Sequence, residues 1–123
     1  GWRFTAADSI AAYGLHGAYG PGERRPVAGA QDWIEALKAF AIELRCDDGR
    51  VLKGGGANVL GSPLAALRHL LAALETIAPG ERVEAGEVVT TGTLTDAPSV
   101  SPGQTWSTKL EGIALEGLSL RLE

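Results

Sequence analysis

At 123 residues, 45% apolar and 21% charged, the chain has the composition of a soluble globular protein and room for one domain at most. A net charge of −4 with no basic stripe argues against nucleic acid as a partner, because phosphate binding needs clustered Lys and Arg. No apolar run approaches the ~18 residues of a membrane span, no signal peptide is visible, and the single cysteine, Cys46, excludes an internal disulfide framework and a cysteine-rich zinc site. The expected setting is therefore cytoplasmic, with no membrane contact. The sequence contains no methionine, and on that ground it is expected to be a fragment of something longer.

Taken in order, residues 6–13 hold good helix formers with no Pro or Gly, which predicts a short helix that begins near Thr5 or Ala6 and ends near Gly14. Gly14, Gly17, Gly20 and Gly22, with Pro21 and Pro26, then make a turn-rich crossing. A brief helical turn is expected over residues 33–37. From Phe40 the period becomes two: Phe40, Ile42, Leu44 and Cys46 point one way and Ala41, Glu43 and Arg45 the other, as in a half-buried strand. Asp48-Gly49 is a hairpin signal of the type in which both central residues take positive φ, so residues 50–53 should return antiparallel.

Residues 54–63, Gly-Gly-Gly-Ala-Asn-Val-Leu-Gly-Ser-Pro, form a permissive loop that feeds a well-marked helix. Ser62 reads as the N-cap and Pro63 as the first helical residue. Leu64, Leu67, Leu71 and Leu74 share one face of that helix, and Pro79-Gly80 ends it. Ala85-Gly86 is a turn, and residues 87–91 are expected as a short strand with a β-branched core. Alternation returns over residues 104–110, with Trp106, Thr108 and Leu110 on one face, and Leu118, Leu120 and Leu122 suggest a final strand. The pattern is strand-rich with one long helix and no internal repeat.

Few residues announce chemistry. The glycine loop lacks the Lys-Ser or Lys-Thr of a P-loop and the spacing of the dinucleotide fingerprint. It suits either backbone amides placed near a ligand or a tight structural corner. Two histidines are too few for a metal centre: His69 lies off the leucine stripe, as a solvated residue would, and His16, in the Gly-rich turn, suits either a pocket wall or a structural hydrogen bond. Asp47-Asp48 lacks calcium-loop spacing, Asp8 sits in the first helix as a solvated or capping group would, and no nucleophile elbow is present. Thr90-Thr91-Gly92-Thr93 offers hydroxyls and exposed amides to an anionic ligand, but equally reads as an ordinary strand end.

Together these pieces resemble the C-terminal half of the fumarylacetoacetate hydrolase superfamily, in the branch of the 2-keto-4-pentenoate hydratases and 4-oxalocrotonate decarboxylases. The resemblance is carried in order by Trp2 with Asp8-Ser9-Ile10-Ala11 and Gly14-Leu15-His16-Gly17, by the loop at 54–63 with Leu60-Gly61-Ser62-Pro63 its sharpest part, by the helix at 64–74, by Gly86-Glu87-Val88-Val89-Thr90-Thr91-Gly92-Thr93, and by Pro102-Gly103-Gln104-Thr105-Trp106. It implies an α+β fold over residues 1–123, a mixed β-roll around one long helix. It also implies Mg2+- or Mn2+-dependent chemistry on small 2-hydroxy-dienoic or 2-oxo-enoic acids from aromatic catabolism, in which the metal stabilises charge on the chelated substrate while nearby groups move protons. His16, Thr91, Gly92 and Thr93 are the matching positions expected near a bound carboxylic acid substrate.

The chain also departs from the family. The family's Glu-x-Glu metal ligands, a further upstream acid and its catalytic lysine have no counterpart in this sequence, and Ala12-Tyr13 stands where an Asp-Asn pair is frequent. The metal ligands are thus expected outside the chain, which would hold the substrate-side wall of the site. Three alternatives follow: a piece of a hydratase or decarboxylase, a ligand-binding or oligomer-assembly domain of the same fold, or an unrelated small β-rich module. An exposed apolar face is expected where a second copy or a missing N-terminal half would pack.

Overall fold

The computed structural model describes residues 3–27 and 31–123; Trp2, one carrier of the resemblance, lies outside them. Its centre is an antiparallel sheet of four strands, β1 (Ala41–Cys46), β2 (Val51–Gly55), β3 (Thr105–Glu111) and β4 (Ser119–Arg121), in the spatial order β2-β1-β3-β4. The alternation from Phe40 onward does what it predicts: Phe40, Ile42 and Cys46 are buried, while Ala41 and Arg45 are exposed. Trp106 sits opposite Cys46 in the β1–β3 register and is 5% exposed, and Val59 completes the buried set. The other face of the sheet is charged, with Glu43 paired to Arg45 and, at 3.4 Å, to Lys53 in the neighbouring strand.

The β1–β2 hairpin forms where expected, but its turn differs. Only Gly49 takes positive φ (95°), and its N–H donates to the Cys46 carbonyl at 3.0 Å. The loop is three residues long, with glycine alone in the left-handed position, so Asp48 avoids that conformation. Helix α1 (Ala6–Ala11) stops earlier than residue 13, because Tyr13 (φ 50°) and Gly14 (φ 69°) turn the chain into a 3-10 turn over Tyr13–Leu15. The turn expected at 33–37 is a full helix, α2 (Gln31–Ala39), with Asp32 in its first turn and Lys38 in its last. Trp33, Ala36 and Leu37 share one half-buried face at three- and four-residue spacing.

Helix α3 (Pro63–Ile77) begins as its sequence dictates: Ser62 Oγ accepts from the Ala65 N–H at 3.1 Å and Pro63 is the first helical residue. It runs to Ile77, beyond Leu74, and rests on α2. None of its residues is fully buried, and Leu64 and Leu71 of the leucine stripe remain 36% and 42% exposed. The stretch Gly56–Ile77 is apolar and long enough by composition to cross a membrane, unlike the sequence expectation. Only α3 within it is regular α-helix; its 15 residues span about 22 Å, short of a ~30 Å hydrocarbon core, and carry Arg68, His69 and Glu75.

The strand expected over residues 87–91 is absent, and residues 78–104 carry no helix or strand. Val88, Val89, Thr90 and Thr91 have strand propensity, but propensity makes a strand only where a neighbour completes the ladder. The segment instead folds locally, with the Glu87 N–H donating to the Glu84 carbonyl (3.2 Å) and the Glu84 N–H to Glu87 Oε2 (2.8 Å). It touches the sheet edge further on, where the Gly55 N–H donates to the Leu94 carbonyl.

Candidate functional site

Thr5 caps α1 and fixes where the following turn emerges. Its backbone N–H donates to Asp8 Oδ2 at 2.7 Å, its hydroxyl donates to the same oxygen at 2.9 Å, and the Asp8 N–H donates back to Thr5 Oγ1. The Thr5 N–H and then its hydroxyl hold the Asp8 carboxyl below the ordinary aspartate range. Asp8 is therefore committed to the cap. Beyond α1, the positive-φ pair Tyr13–Gly14 reverses the chain and delivers His16 to a cleft of about 270 Å³ lined by Tyr13, His16, Tyr19, Val88 and Thr90. Both tyrosines of the chain face this one cleft.

The sequence-predicted residues are divided between two places. His16 lines the first cleft together with Thr90. Thr93 lines a second, more polar cleft of about 400 Å³ with Lys53, Asn58, Leu94, Thr95 and Asp96. Between them Thr91 is half-buried, and Gly92 (φ 106°) would place a Cβ 3.6 Å from Val59 Cγ1. The Asn58 side-chain amide donates to the Leu94 carbonyl at 2.9 Å and anchors this loop to the glycine-rich corner. The segment 90–93 thus links the two clefts. Tyr13, Tyr19, Lys53 and Asn58 were not singled out from sequence; the signal for the tyrosines was their clustering around the Gly-rich crossing.

Chemically, the first cleft offers an imidazole, two phenols and a hydroxyl beside Val88, groups able to donate to a carboxylate and exchange protons with it. A larger concavity, about 510 Å³, lies elsewhere, beside the Pro79-Gly80 turn. It is lined by Leu71, Leu74, Glu75, Glu81, Arg82 and Val83 and has no imidazole or hydroxyl. Among the described residues, no group of three or more His, Cys, Asp or Glu could share a metal ion. The donors present here do not fit a divalent cation.

Two solved structures of 4-oxalocrotonate decarboxylase from Pseudomonas putida G7, one complexed with calcium and acetate and the other with magnesium and adipate, match this chain. Each aligns with a TM-score of 0.58 and 33% sequence identity over 72% of this chain. The chain thus resembles part of an enzyme of the fumarylacetoacetate hydrolase superfamily. The chain spans only about a third, 32%, of the length of that decarboxylase. No protein-family profile matches the chain. The fold is a four-stranded antiparallel sheet with a long helix, and the structures it resembles carry a divalent cation with a small carboxylate.

Proposed function

We propose that this chain is part of a divalent-metal-dependent lyase of the hydratase or decarboxylase kind, acting on small 2-hydroxy-dienoic or 2-oxo-enoic acids of aromatic catabolism. The observation that carries this reading is the 33% identity over 72% of the chain to a decarboxylase solved with metal and a dicarboxylate. In this reading residues 1–123 form one domain of a longer cytoplasmic, oligomeric enzyme, and the sheet and α3 are the part of a β-roll that walls the substrate side. Mg2+ or Mn2+ is held by residues outside the chain. His16, Tyr13 and Thr90 donate to the substrate carboxylate, while Thr91, Gly92 and Thr93 shape the loop that separates it from the Lys53 cleft. A second reading, a ligand-binding or assembly domain without catalysis, draws on the lack of a metal-ligand cluster among the described residues.

Titration with adipate, followed by amide chemical shifts, tests the wall. The expected response is confined to residues 13–19 and 88–93 and is lost in His16→Ala. Shifts elsewhere, or none at saturating adipate, reject the assignment. Turnover is followed by loss of 2-hydroxypenta-2,4-dienoate absorbance with and without magnesium. The chain alone should be inactive, and activity restored by adding the N-terminal half of a related enzyme selects the lyase over the assembly reading. Metal-dependent turnover by the chain alone would show that acids in this sequence suffice as ligands.

A further inference from the structure

We propose, resting on the substrate wall assigned above, that Asn58 is its positioning residue: it holds the Leu94 carbonyl, and through it the Thr90 hydroxyl, in place beside the cleft of His16. Little else fixes this wall. Residues 78–104 carry no helix or strand. Among the described residues, 82–98 hydrogen-bond to the rest of the chain at one atom, the Leu94 carbonyl oxygen. Two donors meet there. The Asn58 side-chain amide donates at 2.9 Å and the Gly55 N–H at 3.3 Å, so the side chain makes the closer bond. The segment's other bonds are local, between Glu84 and Glu87 and from the Thr95 hydroxyl to the Asp96 carbonyl.

The glycine-rich corner is shaped for this carbonyl. A Cβ on Gly54 would overlap the Leu94 oxygen, so the loop can lie this close only over a residue without a side chain. The Gly55 N–H thus serves a carbonyl of the chain itself rather than a ligand. At the other end of the contact, Gly92 brings the chain within van der Waals reach of the buried Val59. Residues 92–94 are therefore seated on residues 54–59 at two points, and Thr90 lies two residues before the seat. Asn58 is exposed and stands outside the buried set of Phe40, Ile42, Cys46, Val59 and Trp106. Removing its amide loosens the loop while that core stays whole. A ligand must then order the loop as it binds, and the ordering is subtracted from its affinity.

Adipate titrations of the intact chain, followed by amide chemical shifts, test this role. Asn58→Ala should raise the adipate Kd about fivefold, the factor that one ordinary hydrogen bond carries. Asn58→Gln keeps the donor one methylene further out and should bring the Kd back to within about twofold of wild type. A residue that served stability alone would lower the urea midpoint and leave the Kd where it was. Lys53→Ala is the control for charge, because Lys53 lines the second cleft with Asn58 but pairs with Glu43 and not with the loop. It should leave the Kd within about twofold of wild type. An unchanged Kd in Asn58→Ala overturns the proposal. So does a loss that Asn58→Gln fails to recover, or an equal loss in Lys53→Ala. A wild-type chain that gives no adipate response at residues 13–19 and 88–93 rejects the substrate wall itself, and the role of Asn58 with it.

Discussion

Arg50 ties three parts of the chain together. Its guanidinium lies 4.8 Å from the centre of the Trp106 ring, donates to the Ser99 carbonyl at 3.0 Å, and grips Asp48 Oδ2 through Nε at 2.8 Å. The Arg50 side chain first, and its backbone N–H second, lower the Asp48 carboxyl to about 2 from its usual 3.8. A depressed carboxylate contributes stability that is complete above its unfolded pKa and is lost as pH falls through the folded one. The wild-type chain should therefore lose more melting temperature between pH 4 and pH 2 than Asp48→Asn, with the two curves converging at the acid end. Parallel thermal melts across that range check this, and equal slopes would show that the pair does not couple to folding. The hairpin turn that places Asp48 was legible as Asp-Gly. The link from Arg50 to Ser99 was not, because it joins residues 49 apart through a loop with no sequence signature.

Elements whose signal is local were readable, and those that need a tertiary neighbour were not. α3 announces itself through Ser62 and Pro63, and β1 through its strict alternation, since capping and pleat act within a few residues. The segment at 87–91 carried the same β-branched residues as a strand, yet the β2 edge donates only to the Leu94 carbonyl further on, so no ladder forms. α2 was under-read because Ala28-Gly29-Ala30 ahead of Gln31 offers no Ser, Thr, Asp or Asn to mark a helix start. The candidate site divides likewise: His16 stood out as a lone imidazole in a Gly-rich turn, while its partners Tyr13 and Thr90 come from segments joined only by folding. The glycine-rich corner makes this physical. A Cβ on Gly56 would meet the Leu37 carbonyl oxygen and, at 2.8 Å, Phe40 Cε1, so α2 and the sheet close over a residue with no side chain. Gly56→Ala should cost about 1–3 kcal/mol by overpacking, whereas Gly20→Ala, which meets nothing within 4 Å, should change little. Urea unfolding of the two variants tests the contrast, and equal midpoints would mean the corner opens at no cost.

At the scale of the whole molecule, burial is concentrated where Phe40, Ile42, Cys46, Val59 and Trp106 meet, while Phe4, Ile10, Tyr13, Tyr19 and Val27 of the first 27 residues remain at least half exposed. An unfolded chain of 12.8 kDa exposes about 18,600 Å², so folding to 9430 Å² buries about 9,100 Å², against about 12,300 Å² for a compact monomer of equal mass. The urea m-value scales with that buried area. A dilute sample, near 1 μM, should therefore unfold with an m-value about three quarters of that of compact proteins of this length. Assembly with a second copy, as the oligomeric reading holds, would bury part of this surface and make the folded state a bimolecular product, so the m-value and the midpoint should both rise with protein concentration. A dilute m-value already equal to that of a compact protein would mean that the N-terminal segment and α3 fold down onto the sheet. A concentration-independent midpoint alongside a low m-value would leave the exposed surface real and take the second copy away as its cover. The two readings separate in one pair of titrations, because the first depends on the area of the isolated chain and the second on mass action.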